Sequence, residues 1–77
     1  MVTSEQVRAG RMLLRWEQKD LAHASKLSLP TIKRLEARPG LIQANHVTVA
    51  AIERAFLDAG VEFTNGDAPG VRIRGRP

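Results

Sequence analysis

The sequence predicts a mainly helical domain, four short helices followed by a β-hairpin, and three observations lead there. Apolar residues recur three and four positions apart up to Ala59, as helices with one buried face require. Side chains able to cap helices, Ser4, Ser28 and Asn45, stand just before those runs. Beyond Gly60 the period changes to two, in Val61-Glu62-Phe63-Thr64 and Val71-Arg72-Ile73-Arg74, which is the pattern of paired strands.

Taken in order, Met1 to Thr3 should fray. Ser4 is the expected cap of a helix reaching about Arg15, with Glu5 near the positive end of its dipole. Val7, Gly10, Arg11 and Leu14 share one face of it, and an arginine on an apolar face is the odd member. Trp16, the only tryptophan, reads as a core anchor at the corner before the second helix rather than as a binding platform. That helix, about residues 17–25, puts Leu21 and Ala22 inside and Lys19, Asp20 and His23 outside. Ser25-Lys26-Leu27 forms a tight turn with Leu27 as its apolar plug.

Ser28 then caps a third helix, about residues 28–37, by accepting the backbone N–H of Thr31. Ile32 and Leu35 are its buried face; Leu29, Pro30, Lys33 and Arg34 are its outer face. Pro39-Gly40 stops it. Asn45 caps the last helix, from about His46 to Ala59, whose buried positions are Val49, Ile52, Phe56 and Ala59. Arg54 and Asp58 lie four apart on its outer side, and Gly60 ends it in the left-handed region. The hairpin loop exceeds the favoured two residues, and an isolated hairpin is not stable. It must lie on the helices or pair with its copy in a second subunit.

Composition narrows the function. A chain of 77 residues holds one domain, which at this size buries roughly 60% of its unfolded surface and gains from a partner. It has no cysteine for disulfides or thiolate metal sites. No apolar run nears the ~20 residues of a membrane span, so a cytoplasmic protein with no membrane partner is expected. With no cysteine or tyrosine, no Gly-rich phosphate loop, and two histidines without metal-ligand spacing, no catalytic residue, metal, cofactor or small-molecule ligand is expected. The net charge is +4 and the pI about 10.7. Cations recur at Arg8, Arg11, Arg15 and Lys19, at Lys33, Arg34 and Arg38, and at Arg72, Arg74 and Arg76. Such a balance suits a polyanion, nucleic acid first; a merely basic solvated surface is the other reading.

Gln18-x-x-Leu21-Ala22, Leu27-Ser28 and Thr31-Ile32-x-x-Leu35-Glu36, in this register, resemble the small helix-turn-helix regulators of the Cro/phage-repressor type, the xenobiotic-response-element-like (XRE) family. The resemblance runs from about Val7 to Gly60, and extends to a subgroup with Ala-Gly-Val-Glu-Phe and a short hairpin after the last helix. It implies a four-helix lambda-repressor-like DNA-binding domain over residues 1–60, and a hairpin and basic tail over residues 61–77 that serve dimerisation. It also implies that Gln18 touches a backbone phosphate and that Arg11 pairs with Glu36, which explains the misplaced arginine. Two residues depart from the family. Lys26 stands where glycine is usual, at a cost of roughly 1–2 kcal/mol for a left-handed conformation. Leu29-Pro30 stands where polar base readers are usual, and the proline should delay the start of the helix by a residue.

The expected function is sequence-specific binding of double-stranded DNA by a transcriptional regulator, repressor or activator, with the third helix in the major groove. Lys33 and Arg34 can donate to guanine O6 and N7, and Leu29 and Pro30 can pack on thymine methyls. Lys33 suits a phosphate equally well, and Leu29 a partly buried contact with the second helix. Gln18, Ser28, Thr31, Arg38, Gln43 and Asn45 are the candidates for phosphate contacts. A homodimer, joined through Val61, Phe63, Val71 and Ile73 together with the last helix, would read an inverted repeat with half-sites about 10 base pairs apart. Arg72, Arg74 and Arg76 could instead form an arm on the DNA, or a solvated tail. Two rival readings are a protein-binding module of antitoxin or antirepressor type, and a mainly non-specific architectural DNA binder. The resemblance alone suggests a nucleoid-associated protein of a mobile element, phage or restriction system.

Overall fold

In order along the chain come α1 (Ser4–Leu14), α2 (Gln18–Ser25), α3 (Leu29–Ala37), α4 (His46–Asp58), β1 (Val61–Thr64) and β2 (Gly70–Ile73). The structure is a computed structural model and describes residues 2–74. Among these, the architecture is four helices and one two-stranded antiparallel hairpin, as the spacing of the sequence predicts. Val7, Leu21, Ile32, Leu35, Ile52, Phe56 and Val61 meet in one core, so every helix and β1 contribute to it. No helix among the described residues is long and apolar enough to cross a membrane.

The start of the chain departs from expectation. Val2 is buried and Thr3, not Ser4, caps α1. Thr3 Oγ1 accepts from Gln6 N at 3.0 Å while Gln6 Oε1 accepts from Thr3 N at 2.9 Å, a reciprocal capping box. Ser4, one residue late for that role, is fully buried, and its N–H donates to Gly40 O at 2.8 Å. Ile42 N in turn donates to Val2 O, and Thr3 and Leu41 form an antiparallel bridge. The expected fraying of Val2 and Thr3 is thus replaced by pairing with the loop before α4; Met1 lies outside the described residues. Gln6 uses its remaining amide protons on Thr64 O and Gly70 O, at 2.9 and 3.0 Å, and so ties α1 to both strands.

Both corners around α2 are closed in the same way. Arg15 and Lys26 sit in the left-handed region, at φ 57° and 62°. The next residue in each case, Trp16 or Leu27, donates its N–H five residues back, to Arg11 O and Ala22 O, and turns an apolar side chain against the core. This is the Schellman ending, in which glycine usually holds the left-handed place. The tight turn at Lys26 was expected; its twin at Arg15 was not. The third helix does not start late either. Ser28 caps it, accepting from Thr31 N at 3.2 Å, and Leu29 is already helical although Pro30 follows.

The aromatic residues form one stack. Trp16 lies 5.7 Å from Phe56 with rings nearly parallel, and Phe56 meets Phe63 edge-on at 5.2 Å. Phe56 can reach this position because α1 offers Gly10 there: a Cβ at Gly10 would stand 2.9 Å from the ring. Phe63 and Val61 are therefore held inward by the helices. β2 begins at Gly70, one residue earlier than expected, and pairs Val61 with Ile73 and Phe63 with Val71.

Two predictions follow from these contacts. Replacing Lys26 or Arg15 with glycine should remove left-handed strain of about 1–2 kcal/mol, partly offset by added freedom in the unfolded chain. A net gain of about 1 kcal/mol each is expected, or roughly 4–8 °C in Tm by thermal melting. At the N-terminus, the Gly40 N–H donated to the Glu5 carboxylate at 3.0 Å holds that carboxyl below its ordinary value of 4.5. A lowered folded-state value means that the unfolded chain binds the proton first. The stabilisation by Glu5 is then complete above 4.5 and is lost as pH falls through the lower, folded value. NMR titration should show the Gly40 amide following a Glu5 midpoint below 4.5; a midpoint at or above 4.5 would count against the contact.

Candidate functional site

The outer side of α3 gathers most of the residues expected to touch a ligand, because its inner side is fixed in three directions. Ile32 and Leu35 go to the core. Glu36, 6% exposed, takes up the polar share. Its Oε2 accepts from Arg11 Nε at 2.8 Å and its Oε1 from Arg11 Nη2 at 2.7 Å, a two-pronged ion pair between α1 and α3. Arg11 Nη1 also donates to Trp16 O at 3.1 Å, and Gln18 Nε2 to Glu36 Oε1 at 3.3 Å. One carboxylate and one guanidinium thus bind α1, the α1–α2 corner, the first turn of α2 and the last turn of α3. The expected pairing of Arg11 with Glu36 is present, and its geometry is that of a fork on a carboxylate.

With that side fixed, Pro30, Lys33 and Arg34 face solvent, as do Ser28 and Arg38. Two hollows border them. One is lined by Arg11, Trp16, Glu17, Gln18, Lys19, Leu29 and Lys33, and within it Lys19 Nζ lies 3.9 Å from the Glu17 carboxylate. The other is lined by Arg34, Leu35, Arg38, Leu41 and Gln43. Each contains a cation of α3, another cation and an amide side chain: Lys33 with Lys19 and Gln18, Arg34 with Arg38 and Gln43. Such an arrangement can hold anionic groups on both sides of an exposed helix while leaving the helix itself between them. Lys19 joins the site although sequence reading only placed it outside the buried face of its helix. Its signal was being next to Gln18 at the start of α2.

Several expected ligand contacts are reduced by bonds inside the protein. Leu29 is half-buried against the core, so only part of its side chain remains outward. Gln18 gives one amide proton to Glu36 and keeps the other. Ser28 and Thr31 are joined through their hydroxyls at 2.8 Å. Asn45 caps α4 by accepting from Thr48 N at 2.9 Å, as expected, and so only its amide N–H groups stay available.

The hairpin changes most. Val61, at 1% exposure, is part of the protomer's own core and has no surface for a second subunit, which corrects its assignment to a dimer contact. Phe63 and Val71 are half-buried against the same core, and of the four only Ile73 is well exposed. Arg72 and Arg74 are not a loose arm: both point their Nε at the Glu62 carboxylate, and Arg74 N donates to Gly60 O at 2.7 Å. Arg76 lies outside the described residues. Likewise Arg54 and Asp58 form no ion pair with each other. Among the described residues no group of three or more His, Asp or Glu side chains is placed to hold a metal ion.

No protein-family model matches the chain, and no curated protein matches it. The site therefore stands on its own geometry.

The ion pair generates a stability prediction. Arg11→Ala leaves the Glu36 carboxylate buried without its partner, and should cost about 3–5 kcal/mol in urea unfolding followed by Trp16 fluorescence. Replacing both members by apolar residues of similar size (Arg11→Met with Glu36→Leu) should cost far less, because no charge is then left stranded. Equal losses in the single and double variants would show that the pair is not what fixes α3.

Proposed function

We propose that this chain is a sequence-specific double-stranded DNA-binding transcriptional regulator of the helix-turn-helix type, a binding protein rather than an enzyme. In this reading α2 and α3 form the two helices, and α3 lies in the major groove with α2 across the backbone. The observation that carries it is the pair of cation-and-amide hollows on either side of exposed Lys33 and Arg34. Phosphates of the two backbones flanking a groove would enter these hollows, and Lys33 and Arg34 would face the base edges between them. The rigid mounting of α3 supports the same reading, since base discrimination depends on donors held in place. The four-helix arrangement is that expected for a lambda-repressor-like domain of the XRE family, which is the fold we assign on this basis.

Within this reading Arg34 is the main base reader, with Lys33 shared between base and phosphate. Pro30 and the exposed part of Leu29 offer thymine methyls an apolar contact. Gln18, Lys19, Arg38 and Gln43 position the backbone, with Ser28, Thr31 and the Asn45 amide in smaller parts. The protein would act in the cytoplasm on nucleoid DNA, as a homodimer on an inverted repeat. The second reading, a mainly non-specific architectural binder, is favoured by one feature: the first turn of α3 presents Leu29-Pro30 and few hydrogen-bond donors.

Selection of bound fragments from a random DNA pool separates the two. A regulator returns a two-fold half-site motif, whereas an architectural binder returns none. On the selected site Arg34→Ala should lose about 1–3 kcal/mol of discrimination, roughly fivefold to 150-fold, while weak general binding persists. If binding to all sequences falls equally, Arg34 is a phosphate contact and the base-reading assignment is wrong. A protein-binding module would show no DNA preference in either experiment.

A further inference from the structure

The chain has two asparagines, and the fold treats them in opposite ways. Asn45 is held: its Oδ1 accepts from Thr48 N at 2.9 Å, and the next residue, His46, opens α4. Asn65 lies just beyond β1, in the exposed loop that joins the two strands, and Gly66 follows it. Among the described residues neither the Asn65 carboxamide nor the Gly66 N–H takes part in a hydrogen bond. The loop's own contact passes over them, from Thr64 Oγ1 to Ala68 O at 3.2 Å. Gly66 has φ 86°, and a Cβ built on it would meet nothing within 4 Å, so the space beside its backbone is open.

We infer that Asn65-Gly66 is a self-modification site, at which the chain converts its own asparagine to isoaspartate and aspartate without an enzyme. The Gly66 nitrogen gives up its proton to solvent and attacks Asn65 Cγ, closing a cyclic imide. The Cγ–Nδ2 bond breaks, and the leaving nitrogen takes a proton and departs as ammonia. Water then opens the ring. Attack at Cγ returns an ordinary aspartate, and attack at the main-chain carbonyl carbon leaves the peptide running through the side chain, as isoaspartate. No oxidant or cofactor enters the balance. Glycine at the second position matters because it has no side chain to shield the nitrogen and lets the backbone swing toward the carboxamide. A helix or a strand ladder would prevent that swing, and Asn65 is in neither, whereas Asn45 is fixed by its cap and followed by a helical histidine. Conversion adds one negative charge beside Asp67 in a chain of net charge +4. Isoaspartate also lengthens the main chain by a methylene, but only within the loop. Both ends of that loop are clamped, because Gln6 Nε2 donates to Thr64 O and Gly70 O. The strands therefore keep their register. The inference does not depend on DNA binding.

Ageing of the full chain in neutral and mildly alkaline buffer tests it. Peptide mapping by mass spectrometry locates the exchange of NH2 for OH, and an isoaspartate-specific methyltransferase labels the rearranged product. Asn65 should convert while Asn45 stays intact. The folded chain should react within a few fold of the same chain in urea, because the loop already leaves the reacting groups free. The rate should rise with pH, since the attacking nitrogen must lose its proton. Asn65→Gln, which leaves the backbone unchanged, should abolish the isoaspartate label, and Gly66→Ala should slow conversion severalfold. The aged chain should melt within a few degrees of the fresh one; a larger fall would show that the clamped loop does not absorb the change. The inference is overturned by an Asn65 that stays intact in the folded chain, whether or not it converts in urea. It is equally overturned by conversion at Asn45 instead, or by isoaspartate that persists in the Asn65→Gln variant.

Discussion

The two-pronged contact between Arg11 and Glu36 is the constraint on which the rest of the structure depends. Glu36 is almost fully buried, and a carboxylate in that position is tolerable only if it is answered. Arg11 answers it with two donors, and its third nitrogen takes up the Trp16 carbonyl at the left-handed ending of α1. The same guanidinium therefore sets the angle between α1 and α3 and the path of the chain between α1 and α2. Gln18 completes the group from the first residue of α2. A pair of apolar residues could fill the space, but could not fix direction in this way.

From that anchor the outer surface follows. Because the last turn of α3 is held by Glu36 and its middle by Ile32 and Leu35, the remaining residues, Pro30, Lys33 and Arg34, have nowhere to go but outward. The hollows beside them are made by neighbours whose positions rest on the same anchor: Gln18 and Lys19 on one side, Arg38 and Gln43 on the other. The second hollow also depends on the N-terminus. Val2, Ser4 and Glu5 pin residues 40–42 by three hydrogen bonds, so a loop that would otherwise wander carries Leu41 and Gln43 to the edge of α3.

A second tier of contacts keeps the hairpin in the fold. Gln6 uses both amide protons on the strands, and the aromatic stack of Trp16, Phe56 and Phe63 runs from the α1–α2 corner through α4 to β1. Edge-on and offset aromatic pairs of this kind add about 0.5–1.5 kcal/mol beyond the burial of their surface. The cost of this integration is that the hairpin's apolar residues are used inside one protomer. Glu62 similarly engages Arg72 and Arg74.

By itself, the sequence determined the parts that depend on neighbours along the chain. Helix positions and their ends were legible from spacing and caps at Ser28 and Asn45, and from Gly60; strand alternation was legible in the same way. These are local effects, written within four residues of where they act. The Arg11–Glu36 pair was legible only through the resemblance, since no local rule joins residues 25 apart. The tertiary structure alone decided the rest. Thr3 replaces Ser4 as the cap because the chain before it is paired with residues 41 and 42, and Ser4 is consumed by Gly40. Arg15 takes a left-handed conformation because Trp16 must reach Phe56. Val61 leaves the expected interface because the core, which no pattern of two can locate, lies on its side of the strand. Periodicity tells which residues share a face; only packing tells what that face meets.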